Sequence, residues 1–353
     1  MKTRTIILFL LGCTLFGVGF VSVLFLMSEE KMQRNNAFQR RYMPEAAVEM
    51  GRMALDNNAY YIAGMDGASI YLGHVSAPLY LTKVDTSLTP TEEVRLEISD
   101  LDLPYQRVKT LVVPPYFYLG DGTVPVLFRG RLGNYKGSQF SFEDAYFTDF
   151  VVADSSRIGI ATLSGMTGSK ALGLLRKAEG GIEFEINTSL LQKQQDGIFD
   201  VDGMLLWNEK HQVFIYTYYY RNQYVVADKT FALQETGTTI DTISRAILDV
   251  AHYSSRDQFK LGGRSVFVNR QSATYGDYLY IHSDRLGRYE KASLMGDASI
   301  IDVYTIQEHT YAFSFYVFHQ SGQRLSDFKV YGNLLVVLVD GILWIYRLNP
   351  NFF

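Results

Sequence analysis

The sequence predicts an all-β domain behind a single apolar N-terminal helix. Three observations predict it. An uncharged apolar run opens the chain. Tyrosine and phenylalanine number 25 and 23, and both favour pleated, half-buried surfaces. Short aromatic and β-branched runs alternate with Gly, Asp, Asn and Ser from about residue 58 onward, which is the signature of hairpins.

The apolar run "IILFLLGCTLFGVGFVSVLFLM" spans Ile6 to Met27. As a helix it would be roughly 33 Å long, enough to cross a hydrocarbon core. A cleaved signal peptide needs a shorter apolar region, so the run reads as an uncleaved signal anchor. "LLGC", ending at Cys13, resembles a lipobox. The apolar stretch after it argues instead for a small side chain in a membrane helix. Cys13 is the only cysteine, which excludes internal disulfides and multi-cysteine metal sites. Lys2 and Arg4 precede the run, while Lys31, Arg34, Arg40 and Arg41 follow it, so basic residues alone do not orient it. A short basic N-terminus before a signal anchor stays inside. The expected arrangement is residues 1–5 cytoplasmic, 6–27 transmembrane, 28–58 a juxtamembrane linker with a first strand, and 59–353 an extracytoplasmic domain, periplasmic or at the cell surface. A net charge of −4 gives no electrostatic reason to expect nucleic acid.

Hairpins follow in order. "YYIAGMDGASIYLG" (60–73), "YFYLGDGTVPVLFRG" (116–130), "DYLYIHSDRLGRYEKASL" (277–294), "YAFSFYVFHQSGQRLSDFKV" (311–330) and "NLLVVLVDGILWIYRL" (333–348) each read as strand, turn, strand. "VFIYTYYY" alternates Phe214, Tyr216, Tyr218 and Tyr220 with Val213, Ile215, Thr217 and Tyr219, turning at 221–223. Tyrosines on both faces suit a strand packed between neighbouring sheets rather than a dedicated ligand platform. Residues 238–255 place Ile240, Ile243, Ile247 and Val250 near helical spacing, so a short helix or an irregular strand is expected there.

A second module recurs at 79–98, 172–186 and 225–240. A strand ends near a lysine and an acid, and a short connection leads to another strand. Hairpins recurring every roughly 40–65 residues are what β-propeller blades look like. On this pattern residues 59–353 resemble the divergent propellers of the NHL and TolB-like groups. The resemblance implies six blades at about 49 residues each, with five or seven left open. The final run would close the ring against residues 46–55, which removes open sheet edges.

The chemistry-bearing residues are scattered. Asp100 and Asp102 in "SDLDLP", and Asp200 and Asp202 in "FDVDG", are candidate metal ligands, weighed against turn aspartates that accept local amide hydrogen bonds. Arg264 and Arg270 in "LGGRSVFVNR" are candidate anion or partner contacts near a propeller mouth. No HExxH, GxSxG or GxxxxGK[ST] motif is present. No resident cofactor is predicted, and calcium is the ion that a channel site of the lactonase-like kind would take. The expected function is a membrane-anchored binding or scaffold module for a protein, peptide or glycan partner. The alternatives are a calcium-dependent hydrolase or lyase with its site in the channel, and a small-ligand sensor.

Overall fold

The computed structural model describes residues 3–253 and 258–353. Among the described residues, one long helix, Thr3–Gln33, precedes six four-stranded antiparallel blades. Blade 1 comprises Tyr60–Met65, Ser69–His74, Tyr80–Asp85 and Pro90–Arg95. Blade 2 comprises Lys109–Val113, Tyr116–Asp121, Val126–Arg131 and Lys136–Phe142, with Glu97–Ile98 added at its outer edge. Blade 3 comprises Asp149–Val152, Arg157–Leu163, Lys170–Ala178 and Gly181–Asn187. Blade 4 comprises Gly203–Asn208, Val213–Tyr218, Gln223–Asp228 and Leu233–Thr238. Blade 5 comprises Asn269–Tyr275, Tyr278–Ser283, Ala298–Thr305 and Thr310–Phe318. Blade 6 comprises Leu325–Tyr331, Leu334–Val339 and Ile342–Leu348, and its outer strand is Ala47–Ala54.

The ring is therefore closed by the two ends of the domain. Ala47 pairs with Leu348 and Ala54 with Ile342, antiparallel. This is the closure expected from the final apolar run. It leaves Leu334–Val339 and Ile342–Leu348 as interior strands, almost wholly buried.

Blade turns follow from local side-chain chemistry. In blade 1 the Asp85 carboxylate accepts from the Ser87 amide, the Ser87 hydroxyl and the Thr89 amide. In blade 4 Asp228 accepts from the Thr230 amide and hydroxyl and the Ala232 amide. Leu88 and Phe231 occupy the same position in the two turns, both with positive φ (65° and 58°). The carboxylate supplies the acceptor that holds a non-glycine residue there. These are the Lys-and-acid connections noted in the sequence, and they link the two outer strands of their blades.

The tyrosine-rich stretch is a blade interior. Val213–Tyr218 is buried at every position. Phe214, Tyr216 and Tyr218 pack with Leu172 and Leu174 of blade 3, while Ile215 packs with Leu279 and Ile281 of blade 5. Fully burying each such side chain contributes about 1.5–3 kcal/mol. The strand stops two residues before the expected point. Tyr219 leaves the ladder, its amide donating to the Asp202 carbonyl (2.9 Å) and its carbonyl accepting from the Val268 amide (2.8 Å).

Three expectations change. Residues 311–330 supply two strands that do not pair: one is the outer strand of blade 5, the other the inner strand of blade 6. The strand after Tyr278–Ser283 begins at Ala298, not near Arg288, because residues 284–297 form a long connection with a short helix, Leu294–Asp297. Residues 239–249 are irregular, and Val250–Tyr253 pairs with Gln258–Leu261 as a hairpin; positions 254 and 255 of the expected helix lie outside the described residues.

Strands alternate in direction within each blade. The starts of all six inner strands therefore share one face with the connections between second and third strands. This entry face receives the end of the N-terminal helix. The apolar helix is long enough to cross a membrane over Ile6–Leu24 and makes no buried contact with the blades there. It ends at Gln33, and the next ten residues form a strap across blade 5 rather than a free stalk. Asn35 donates from its backbone to the Leu286 carbonyl (2.9 Å) and from its side chain to Asp241 (3.1 Å). Arg40 is buried and donates to both oxygens of Asp302 (2.7 and 3.1 Å), to Glu290 (2.6 Å) and to Ser283 (2.8 Å). Tyr42 stacks on Tyr316 at 4.5 Å, and the Met43 amide donates to the Ser314 carbonyl.

Candidate functional site at the channel mouth

On the entry face the blades are linked, one to the next, by a belt of polar contacts. Asp327 of blade 6 accepts from the Ile62 amide of blade 1 (2.8 Å). The Thr110 amide of blade 2 donates to the Tyr61 hydroxyl of blade 1 (2.8 Å). Lys109 pairs with Asp149 of blade 3 (2.6 Å). Lys170 of blade 3 pairs with Asp202 at the start of blade 4. Asn269 of blade 5 donates to the Tyr218 and Arg221 carbonyls of blade 4 (2.7 and 3.0 Å). Gln271 of blade 5 donates back to Asp327 (3.0 Å). All six blade junctions are covered.

The belt surrounds the channel mouth on the entry face. Lys109 and Asp149 keep 43 % and 35 % of their side-chain surface in solvent although protein surrounds them. Desolvation by the channel walls works against the Lys109 charge, but Asp149, then Asp327 and Tyr61, outweigh it and its pKa rises. Asp327, two blades away, is among the charges that favour the Lys109 ammonium. The Tyr219 hydroxyl is pushed up by burial first, then by Asp202 and Asp149. Asp149, Asp202 and Asp327 thus stand with Lys109 and Lys170 along the entry face as a run of paired charges. Such a set can recognise a ligand carrying both charges, by exchanging its internal ion pairs for ligand contacts.

The expected site residues divide. Asp202 belongs to the belt. Asp200, two positions earlier, is fully buried and accepts from the amides of Gln194 (2.5 Å), Gln195 (2.9 Å) and Gly197 (2.5 Å). Burial pushes its pKa up, but those three amides outweigh it and hold it below the ordinary carboxylate value. It is a loop-forming aspartate. Asp100 and Asp102 lie in the exposed connection to blade 2, where the Asp102 amide donates to Asp100 (2.9 Å). Among the described residues, no group of three or more His, Cys, Asp or Glu side chains is placed to hold a metal ion. Arg270 is engaged by Asp284 (2.7 Å) and stacks over Phe267 at 4.0 Å, while Arg264 is exposed on the entry face.

Lys109, Asp149, Lys170 and Asp327 were not singled out from the sequence. A signal existed for two of them. Thr148-Asp149-Phe150 and Ser326-Asp327-Phe328 repeat one pattern at the starts of two inner strands. In each, the phenylalanine is buried in the core and the aspartate before it bonds to the neighbouring blade.

No family model matches the chain, and no curated protein matches it. Solved structures do. A member of the DUF4221 family from Bacteroides vulgatus superposes with a TM-score of 0.51 at 10% identity, covering 85% of this chain and 97% of that one. A streptogramin B lyase gives 0.48 at 9% identity, covering 89% and 100%. The Cps50 (Swd1) β-propeller domain of Myceliophteria thermophila gives 0.47 at 6% identity, covering 86% and 100%. At these identities the likeness is one of fold: the chain is a β-propeller behind an N-terminal apolar helix.

Proposed function

We propose that the chain is a membrane-anchored extracytoplasmic propeller that binds a protein, peptide or glycan partner through its channel mouth. The observation that carries this reading is the belt of partly exposed ion pairs on the face to which the helix is strapped. A purely structural belt would gain stability from apolar contacts, whereas partly solvated ion pairs contribute little to it and can be exchanged for a ligand's charges. Orientation follows the short basic N-terminus, with the propeller outside. The test is partner capture from native membranes by cross-linking, comparing the full chain with Lys109→Met and Asp149→Asn. Loss of capture by variants that keep their thermal stability supports the reading. Undiminished capture by both refutes it.

The calcium-dependent alternative is tested directly. Lys109 and Lys170 already neutralise Asp149 and Asp202. Calcium titration is expected to leave the melting temperature unchanged, and a saturable rise would favour a channel metal site.

A further inference from the structure

We propose that the entry face of the propeller rests on the lipid bilayer that the helix spans. This rests on the tether reading above and goes beyond it by assigning what covers that face. The first observation is where exposed apolar side chains lie. Outside the helix, every described large apolar side chain that is more than half exposed lies on the entry face, except Leu233. Met166 is 82 % exposed, and Tyr146 and Tyr289 are each 69 % exposed. Val75, Leu101 and Phe318 complete a ring of tips contributed by blades 1, 2, 3 and 5 and the connections between them. The opposite face, built from the same kinds of turns, carries only Leu233 at that level.

The second observation is the tether. The helix runs unbroken from its apolar span to Gln33, and Arg34 is already bonded to the Gly287 and Arg288 carbonyls on the entry face. Nine helical residues separate Leu24 from Arg34, a rise of about 14 Å. The polar headgroup layer takes up roughly 5–8 Å of that. Arg40 ties the strap to blade 5, so the helix ends beside this face.

The pattern fits a bilayer better than a protein. A protein interface is built around a contiguous apolar patch. Here single tips on separate loops are spaced around a ring by polar residues, and two of them are tyrosines, which favour the membrane–water interface. Exposed Arg264, Arg288 and Lys291 lie on the same face, but Asp249 and Asp297 are interspersed, so the apolar tips carry the contact rather than net charge. With the rim on lipid, the channel mouth opens onto the headgroup layer, and a partner reaches it from that membrane.

The experiment is quenching by brominated lipid in the full-length chain, reconstituted into phosphatidylethanolamine–phosphatidylglycerol vesicles. An environment-sensitive fluorophore is placed on native Cys13, or, in a Cys13→Ser background, on Met166→Cys, Tyr289→Cys or Leu233→Cys. The substituted positions are exposed, so folding is retained. Quenching at 166 and 289 at least twofold above that at 233 is expected. Quenching at Cys13 with none at 166 or 289 overturns the inference and leaves the tether standing. Absence of quenching at Cys13 overturns both. Burial of the 166 probe only when other membrane proteins are co-reconstituted also overturns it, in favour of a protein occupant.

Discussion

Replacing Arg40 with alanine is expected to loosen the strap and lower the stability of the whole propeller. The guanidinium and Asp302 each keep only 2 % of their side-chain surface in solvent, and Glu290 keeps 11 %. Desolvation opposes the Arg40 charge, but Asp302 and then Glu290 outweigh it and raise its pKa far above any working pH. Without Arg40, Asp302 retains only the Ser314 hydroxyl (2.5 Å), and Glu290 retains the Gly287 amide (2.5 Å) and the Tyr316 hydroxyl (2.9 Å). Removing one partner of a buried ion pair costs about 3–5 kcal/mol, because the other charge stays buried. At about 2–4 °C per kcal/mol for chains somewhat shorter than this one, the melting temperature should fall by roughly 6–20 °C, towards the lower end here. Thermal unfolding of the detergent-solubilised chain by circular dichroism measures this. Limited trypsin digestion should show faster cleavage at Arg34 and Arg41. Arg40→Met combined with Asp302→Asn should recover part of the loss. A shift under about 2 °C with an undigested strap would refute the reasoning.

Three further outcomes are expected. His282 is neutral in the fold, its pKa lowered to about 3 by burial first and then by Arg270 and His319. The unfolded chain takes up a proton below about pH 6.5 that the folded chain refuses until about pH 3, so stability falls with acidification across that window by up to about 1.4 kcal/mol per pH unit; His282→Gln should flatten that slope in denaturant titrations. Gly64→Ala should cost about 1–3 kcal/mol or more, since a Cβ there would overlap the Val112 carbonyl at the bridge that joins the ladders of blades 1 and 2; an unchanged denaturation midpoint would sink this. Asp200→Ala should cost about 3 kcal/mol or more by stripping three amides of their acceptor, and hydrogen exchange should show the loop at 192–199 opening locally.

Legibility in the sequence tracked the range of the interactions. The Asp85 and Asp228 turns were visible because donors and acceptor lie within four residues. The strands of 311–330 were visible too, but their allocation to two blades was not. A hairpin and a blade crossover differ in what the strands pack against, not in their own residues. The strap was not legible at all. "NNAFQRRYM" has no periodicity, and its decisive bond joins residues 262 positions apart. Of the site, Asp202 was named for its carboxylate, while its partner Lys170 was not singled out. Their meeting depends on two blades lying side by side.

By itself, the sequence determined the apolar helix, the β-prone segments and most of the turns, because length, alternation and backbone-accepting side chains act locally. It also pointed to the final apolar run as the one that closes the ring against residues 46–55. Tertiary structure decided which strands share a blade, which face carries the apolar helix, and which charges meet between blades. Those outcomes follow from closing a ring: once Ala47–Ala54 pairs with Ile342–Leu348, the six inner strands are brought together at one axis, and residues far apart in the chain become neighbours.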